Sequence, residues 1–156
     1  MSNDLWLKLL LAVLLGLLLG AVLEPARGAE LWVNLNARAY HFDRAPGYNE
    51  RNLGLGLTYR ADAHLRYLAG EYDNSFHHTS WYAGAAYFSS PLAVAGVAVR
   101  AGVAAGAVTG YDRRLQPVVL PTVSFECGRA EAALAYGARA SPKASALVAL
   151  QLGWRW

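Results

Sequence analysis

Three observations predict an all-β fold for this chain, an eight-stranded antiparallel outer-membrane β-barrel. After an apolar N-terminal run, apolar residues recur with period two, which is the signature of strands with two different faces. Turn-forming residues divide the rest of the chain into eight segments of strand length. Tyrosine and tryptophan lie near several strand ends, as in the aromatic girdles that border the lipid-facing band of a membrane barrel.

The N-terminal run is predicted to be a cleaved signal peptide. Lys8 precedes an apolar stretch from Leu9 to Leu23, and the small residues Ala26 and Gly28 follow it. This pattern of a positive charge, a short apolar run and small residues is typical of secretory signals. The alternative is a transmembrane anchor, but the run falls short of the ~20 residues that a spanning helix needs. We therefore expect a signal peptide at 1–28 and a barrel at 29–156.

The strands follow from the alternation. In "RNLGLGLTYR" the residues Leu53, Leu55 and Leu57 alternate with asparagine and glycine, and the last segment alternates up to Trp156. A soluble secreted barrel is the alternative, but it would turn its apolar face inward, whereas the terminal aromatic face predicts contact with lipid. The predicted strands are 31–41, 50–60, 64–73, 79–89, 94–109, 117–127, 130–138 and 144–156.

The inward face is predicted to be small and mainly apolar, so that the barrel could hold one slender hydrocarbon ligand. Alternatively, glycine and alanine only suit the curvature of the strands. Arg100 shares the inward parity and needs a carboxylate partner, for which Glu131 is a candidate. The small residues assigned to this face are Gly54, Gly56, Gly84, Ala86, Ala98, Gly102, Ala104, Gly106, Ala133, Ala135, Ala149 and Gly153.

Polar residues are predicted to meet at one rim of the barrel. With both termini on the periplasmic side, the connections after strands one, three, five and seven are extracellular. They carry a hydroxyl, imidazoles, carboxylates and guanidinium groups, which suit acyl transfer and the binding of lipid phosphates. A metal site is a weaker hypothesis, since the adjacent His77 and His78 would point to opposite sides of a strand. Ordinary solvated loops are the remaining interpretation.

Other function classes find less support. The net charge is only +3 and the basic residues are scattered, so no nucleic-acid partner is predicted. Cys127, the single cysteine, cannot form an internal disulfide and has no metal-ligand spacing around it. We interpret it as structural.

Several segments resemble the PagP family of lipid A palmitoyltransferases. "NARAYHFDRAPGYNERNLGLGL" resembles the first hairpin of the family, and "YDNSF" resembles the end of its third strand. "YAGAAY" follows at the family's spacing. "TGYDRRLQPVVLPTVSF" resembles the loop and sixth strand, in which two prolines four residues apart, here Pro117 and Pro121, are characteristic. The resemblance covers nearly the whole chain after the N-terminal run, in order.

The resemblance implies an outer-membrane enzyme that moves a palmitate-like acyl chain from a phospholipid donor to lipid A. It implies no cofactor and no metal. We expect the barrel to be a monomer. In the family the acyl chain lies inside the barrel, and prolines that weaken strand pairing provide a lateral entry for lipid. A lipid A deacylase is the second enzymatic hypothesis, and an adhesin or structural barrel is the non-enzymatic one.

The resemblance also places the site residues, with departures from the family. The family aspartate falls on Asn74 and the family serine on Ser75. The family histidine falls near Asn36, so His41 is expected to take its role; whether Ser75 is a nucleophile or a hydrogen-bond donor stays open. The family helix before strand one has no room here. The expected catalytic residues are His41, Ser75 and Asn74, and the expected substrate-binding residues are Tyr48, Asn49, Glu50, Arg51 and Ala86, the last as an acyl-cavity floor that shortens the chain accepted.

Overall fold

The computed structural model describes residues 28–43, 47–111, 114–139 and 145–156. The segment predicted to be a signal peptide lies outside this part of the chain, except for Gly28. None of the described residues belongs to a helix long and apolar enough to cross a membrane.

A closed antiparallel β-barrel forms, as the alternation predicted. Its sheet has the order β4-β3-β2-β1-β9-β8-β7-β6-β5, and pairing of β4 with β6 closes the cylinder. Eight strands make the wall, and β5 is a short addition that pairs with the start of β6 alone. The strands are β1 (Glu30–His41), β2 (Gly54–Arg60), β3 (Leu65–Asp73), β4 (Thr79–Phe88), β5 (Leu92–Val94), β6 (Val97–Val108), β7 (Gln116–Cys127), β8 (Ala130–Gly137) and β9 (Leu147–Arg155).

Two strand boundaries differ from the prediction. The expected single strand at 94–109 is interrupted by a turn at Ala95 and Gly96, which both have positive φ, 48° and 83°. The turn joins β5 and β6 into a hairpin. Two such residues form the tight turn that suits the twist of a hairpin. β2 begins at Gly54 rather than at 50, because Asn49 and Arg51 are hydrogen-bonded to each other in the preceding loop.

The two ends of the barrel are unlike. One end of the barrel, which we call the loop end, is where β1, β3, β6 and β8 finish and where β2, β4, β7 and β9 begin. The other end, the turn end, holds the tighter connections at 61–64 and 128–129. It also holds the N-terminal end of β1 and the C-terminal end of β9. Long connections on one side and short turns on the other are typical of outer-membrane barrels, whose long loops are extracellular.

The outward surface is apolar between two aromatic levels. Leu55, Val103 and Val119 are exposed on its middle band. Exposed aromatic residues stand toward the loop end on β1 and β4 (Tyr40, Trp81) and toward the turn end on β3, β4 and β9 (Tyr67, Tyr87, Trp154). This is the surface of a membrane-spanning barrel, since water would not favour so continuous an apolar belt.

Several inward glycines are required by the geometry of the wall. A Cβ added to Gly84 would meet the carbonyl oxygen of Ala105, and one added to Gly106 would meet that of Ala83. At Gly56 an added Cβ would meet the phenol oxygen of Tyr82, which lies over that strand. Glycine at such places allows a sheet to curve into a small barrel. At these positions the curvature interpretation is therefore sufficient, and no chamber is needed to explain the glycines.

The prediction of a mainly apolar lining is wrong for the turn end, where a charged layer fills the interior. Glu131 accepts hydrogen bonds from Arg60 and Arg66, each at 2.6 Å. Arg100 pairs with Glu126, at 2.9 Å, and not with Glu131 as expected. Charged side chains are tolerated inside because each is paired with an opposite charge, although Nε of Arg60 and of Arg100 is buried without a hydrogen-bond partner among the described residues. The layer consists of Arg60, Arg66, Arg100 and Arg155 with Glu30, Glu126 and Glu131.

Candidate functional site

His41 and Ser75 meet at the loop end of the barrel. His41 is the last residue of β1 and points inward, with 2% of its surface exposed. Its Nε2 lies 2.9 Å from the Oγ of Ser75, which is 7% exposed. The two residues predicted to form the centre are thus in hydrogen-bond contact, although 34 positions separate them in the chain. The role of this contact in catalysis stays a prediction.

A tight turn between β3 and β4 holds Ser75 in place, and Asn74 organises that turn. The Oδ1 of Asn74 accepts from the backbone N–H of Phe76 at 2.8 Å and of His78 at 3.1 Å. His77 closes the turn with a positive φ of 60°, a conformation in which histidine is one of the better tolerated residues.

The other side of the Asn74 amide reaches across the rim. Its Nδ2 donates to the Oγ of Ser80 at 3.0 Å and to the carbonyl of Gly110 at 2.7 Å, and the residue is fully buried. None of these bonds goes to His41 or Ser75. The structure therefore gives Asn74 a scaffolding position, and it does not bring the side chain to the two reactive groups as a catalytic role would require.

The first long loop packs over the histidine. The Tyr48 ring stacks on the His41 ring, with centroids 4.4 Å apart and planes inclined by 22°. Asn49 joins the two loops, because its N–H donates to the carbonyl of Ser75 at 2.9 Å and its amide donates to the carbonyl of Asn74 at 3.1 Å. Both residues were predicted to contact substrate, and here they immobilise His41 and Ser75.

Tyr111 is a site residue that the sequence reasoning missed. Its phenol lies 3.0 Å from the phenol oxygen of Tyr72, and the neighbouring Ser75 acts on the phenol oxygen as a hydrogen-bond donor that lowers its pKa. Burial raises the pKa of the Tyr111 phenol, so the group stays protonated and can donate a hydrogen bond. Phe76 packs edge-on against both Tyr48 and Tyr111. The available signal was its place in a rim loop beside the predicted centre.

A pocket of about 290 Å³ opens next to His41. Arg51 and Arg38 line it, and the Glu50 carboxylate in the same wall accepts from the His41 backbone N–H at 3.4 Å. Glu50 and Arg51 were predicted to bind substrate, whereas Arg38 was not singled out. Arg38 escaped notice because a bulge between Asn36 and Arg38 breaks the period-two count.

Three further predicted or considered residues lie away from this centre. Ala86 is buried on the inner wall, opposite Arg66 in the β3–β4 ladder and so against the charged layer. His77 and His78 are exposed on the turn. Within the described ranges no three His, Cys, Asp or Glu side chains are grouped so as to hold a metal ion.

The strand ladder is interrupted in two places near the loop end. Regular pairing of β1 with β2 stops at Asn36 and Gly54, and pairing of β7 with β8 stops at Thr122 and Ala135. Pro121 follows directly at the second stop and offers no N–H to the ladder. The wall is therefore weakened at two points on the half of the barrel that carries His41 and Ser75.

The arrangement supplies a base beside a hydroxyl, which is the minimum for general-base chemistry. His41 Nδ1 is buried and has no hydrogen-bond partner among the described residues, so no carboxylate orients the ring as in a Ser-His-Asp triad. Stacking on Tyr48 and the bond to Ser75 orient it instead.

Comparison with known proteins supports the fold alone. No family model and no curated protein matches the chain. A solved de novo designed transmembrane β-barrel matches with a TM-score of 0.60 and 15% identity, covering 81% of this chain and 95% of the design. A second designed barrel, solved by solution NMR, matches with a TM-score of 0.55 and 18% identity, covering 81% and 94%. The N-terminal barrel domain of Pseudomonas aeruginosa OprF matches with a TM-score of 0.40 and 16% identity, covering 81% and 97%. The two designed barrels, with TM-scores above 0.5, support a small eight-stranded transmembrane β-barrel fold for this chain.

Proposed function

We propose that this barrel is an outer-membrane acyltransferase that moves a palmitate-like acyl chain from a phospholipid to lipid A. The observation that carries the proposal is the buried contact of His41 Nε2 with Ser75 Oγ, at 2.9 Å, on the loop-end rim of a membrane-spanning barrel. There the pair would stand at the level of lipid head groups and ester bonds, where acyl transfer has to occur.

The reaction proceeds in two balanced steps. Ser75 Oγ attacks the ester carbonyl of the donor while His41 accepts its proton, and the ester C–O bond then breaks as that proton passes to the departing lysophospholipid hydroxyl. In the second step a lipid A hydroxyl attacks the acyl-serine and gives its proton to His41. Ser75 recovers that proton as the new ester is released. The Tyr111 phenol, which lies near Ser75 and stays protonated, would donate a hydrogen bond to the oxyanion that forms on the ester carbonyl.

The barrel wall supports entry of lipids from the side. The interrupted ladders at Asn36–Gly54 and at Thr122–Ala135 are the places where an acyl chain could pass between strands at the least cost in hydrogen bonds. Above the charged layer, inward alanines on β6, β8 and β9 (Ala104, Ala133, Ala135, Ala149) lie beside a polar group of Asn36, Tyr82 and Gln151, which are hydrogen-bonded to one another. An acyl chain that enters the barrel to this depth would have to displace these polar side chains. The charged layer would set the floor against which the chain ends, beside Ala86.

The identity of the lipids rests on the sequence resemblance to the PagP palmitoyltransferases. That resemblance is a prediction, since no family model matches the chain. The geometry adds independent support at one point: Ser75, on which the family serine falls, is in contact with His41, the histidine expected to replace the family one, although the two lie on different segments of the chain.

Mass spectrometry of lipid A from cells with and without the gene tests the proposal. A gain of one acyl chain is expected, and Ser75→Ala and His41→Ala should each reduce transfer about 100-fold or more, in the range that a general base contributes. His78→Ala is the matched control, because this exposed histidine bonds to Asn74 only through its backbone N–H and carbonyl, which the substitution keeps. It should transfer acyl groups like the unchanged chain.

The possible outcomes separate the rival functions. Loss of an acyl chain from lipid A would indicate a deacylase, and an unchanged lipid A would indicate a barrel without this enzymatic activity. Trapping an acyl group on the peptide that contains Ser75 would support the nucleophilic role. Full activity of a folded Ser75→Ala barrel would refute the assignment of the centre.

A further inference from the structure

Arg38 occupies an unusual place on the outer wall. It follows the bulge in β1, pairs opposite Leu150 of β9, and is exposed. Tyr40, two residues closer to the loop end, belongs to the outward aromatic level. A guanidinium on the lipid side of a strand is costly unless it reaches the head-group region and finds an anion there.

Arg51 reaches the same pocket from the first long loop. It is exposed, and its backbone N–H is held by the Asn49 side chain at 2.9 Å, which fixes where its side chain begins. Within the described part of the chain, neither Arg38 nor Arg51 has a side-chain hydrogen bond or ion pair. The charged layer inside the barrel shows the contrast, since its four arginines all have carboxylate partners.

The two guanidinium groups converge on one pocket. They line the cavity of about 290 Å³ with His41 and Tyr48, so anion and reactive centre would be neighbours. Glu50 is the acidic residue in that wall, and its carboxylate already accepts from the His41 backbone N–H. With Arg38 and Arg51 against Glu50, the arginines outnumber the carboxylate, so the pocket has a net positive charge. Guanidinium groups bind phosphate oxygens in pairs of parallel hydrogen bonds, so phosphate is the anion that they fit best.

We infer that Arg38 and Arg51 form a binding site for the phosphodiester of a lipid head group. Arg38 would hold it from the membrane side and Arg51 from the loop side. The inference deepens the proposed function, and the role of the site in catalysis rests on that function. A donor phospholipid bound here would present its ester next to Ser75. The substrate class is a phospholipid recognised by its phosphate.

Binding is measured on the full barrel in detergent micelles, in a Ser75→Ala background so that no donor is consumed. NMR titration with dioctanoyl-phosphatidylglycerol gives the dissociation constant, and dioctanoylglycerol, which lacks the phosphate, is the comparison ligand. The double variant Arg38→Gln/Arg51→Gln should bind the phospholipid at least about tenfold more weakly, as expected for loss of charge-assisted hydrogen bonds. Its affinity for dioctanoylglycerol should not change.

Arg114→Gln is the matched control, since Arg114 is an exposed arginine in another loop of the same rim. An equal loss of affinity in Arg114→Gln would overturn the inference, because the effect would then not be specific to Arg38 and Arg51. No loss in the double variant would overturn it as well, because the two arginines would then not bind the phosphate. Competition by millimolar inorganic phosphate that is as strong as competition by the lipid would show that the site takes free phosphate rather than a lipid head group, and would also overturn it.

This binding assay does not depend on acyl transfer. If lipid A is never acylated but the double variant loses phospholipid affinity, the proposed reaction fails and the phosphate site stands. If acyl transfer occurs and the double variant binds normally, the phosphate site fails alone.

Discussion

Replacing Glu131 by glutamine should weaken the barrel more than any other single change in its charged layer. Glu131 is the carboxylate shared by Arg60 and Arg66, at 2.6 Å to each. All three side chains are nearly buried, with 8%, 7% and 6% of their surface exposed. Glutamine keeps the shape and one acceptor oxygen, so the change isolates the charge.

The magnitude follows from the charge balance. The layer holds four arginines and three glutamates, a net charge of +1, and Glu131→Gln raises this to +2. The amide NH₂ group would also face guanidinium donors. Removing one partner of a buried ion pair costs about 3–5 kcal/mol, because the remaining charge is left desolvated. Since the oxygen acceptor survives, we expect about 3 kcal/mol at the lower limit of that range.

Urea unfolding of the barrel reconstituted in vesicles, followed by tryptophan fluorescence, measures the change. The midpoint should fall while the slope with urea stays constant, as the surface exposed on unfolding is unchanged. Glu30→Gln is the matched control: its ion pair with Arg155 is about one-third exposed on both sides, and its contact with the buried Arg60 is longer, at 3.6 Å. About 1 kcal/mol should therefore be lost. Equal effects for both variants would refute the view that burial of the charges decides the cost.

Two further predictions concern the turns. Asn74→Asp should destabilise the barrel by about 1–3 kcal/mol, because a carboxylate cannot donate to the Gly110 carbonyl, and it should not raise acyl transfer. Urea unfolding measures the stability of this variant, and mass spectra of lipid A measure its acyl transfer. Higher transfer by Asn74→Asp would contradict the scaffolding role of Asn74. Asp62 accepts from the backbone N–H of Leu65 and of His64, and these bonds hold the pKa of its carboxyl below the ordinary value. A depressed pKa stabilises the folded state above the unfolded pKa, so this contribution should fade below about pH 4; Asp62→Asn, which keeps the acceptor, should remove that pH dependence, and an unchanged pH profile of unfolding would show that Asp62 is not its source.

The wall of the barrel was predictable because lipid enforces a strict rule. Residues on the lipid-facing band of the outer face must be mainly apolar, so period two survives along most of each strand. The rule lapses where the chain leaves the sheet. The hairpin at Ala95 and Gly96 therefore went unrecognised, because its turn lies in a run of small apolar residues.

The interior was predicted less well, for a different reason. Parity alone placed Arg100 inside, and the same parity applies to Arg60, Arg66 and Glu131 on strands that were already assigned. The charged layer was not predicted, because the many inward glycines and alanines favoured an apolar lining that could hold a hydrocarbon chain. The partner of Arg100 could not be read from parity, since it depends on which inward carboxylate the stagger of the strands brings to its level.

The candidate site was predictable only as far as strand counting extends. Counting placed the loops of His41 and Ser75 on one rim, and resemblance selected these two residues from several. The contacts of Tyr111, Tyr48 and Asn49 with them depend on loop conformations that no periodicity encodes. Arg38 was hidden by the bulge that turns it toward lipid.

Position 74 shows how far this site departs from the family that it resembles. An aspartate there could still accept from Phe76 and His78, but it could not donate to Ser80 and Gly110 as the amide does. The rim of this barrel has therefore been built around an asparagine, and a carboxylate at that place would break it. If His41 acts as the base, it works as a dyad with Ser75 and is oriented by stacking on Tyr48, since its Nδ1 has no hydrogen-bond partner in the described part of the chain. Tyr48→Ala should then lower kcat, and Tyr48→Phe, which keeps the stacked ring, should restore it. A Tyr48→Ala barrel with unchanged kcat would show that the ring does not orient the histidine.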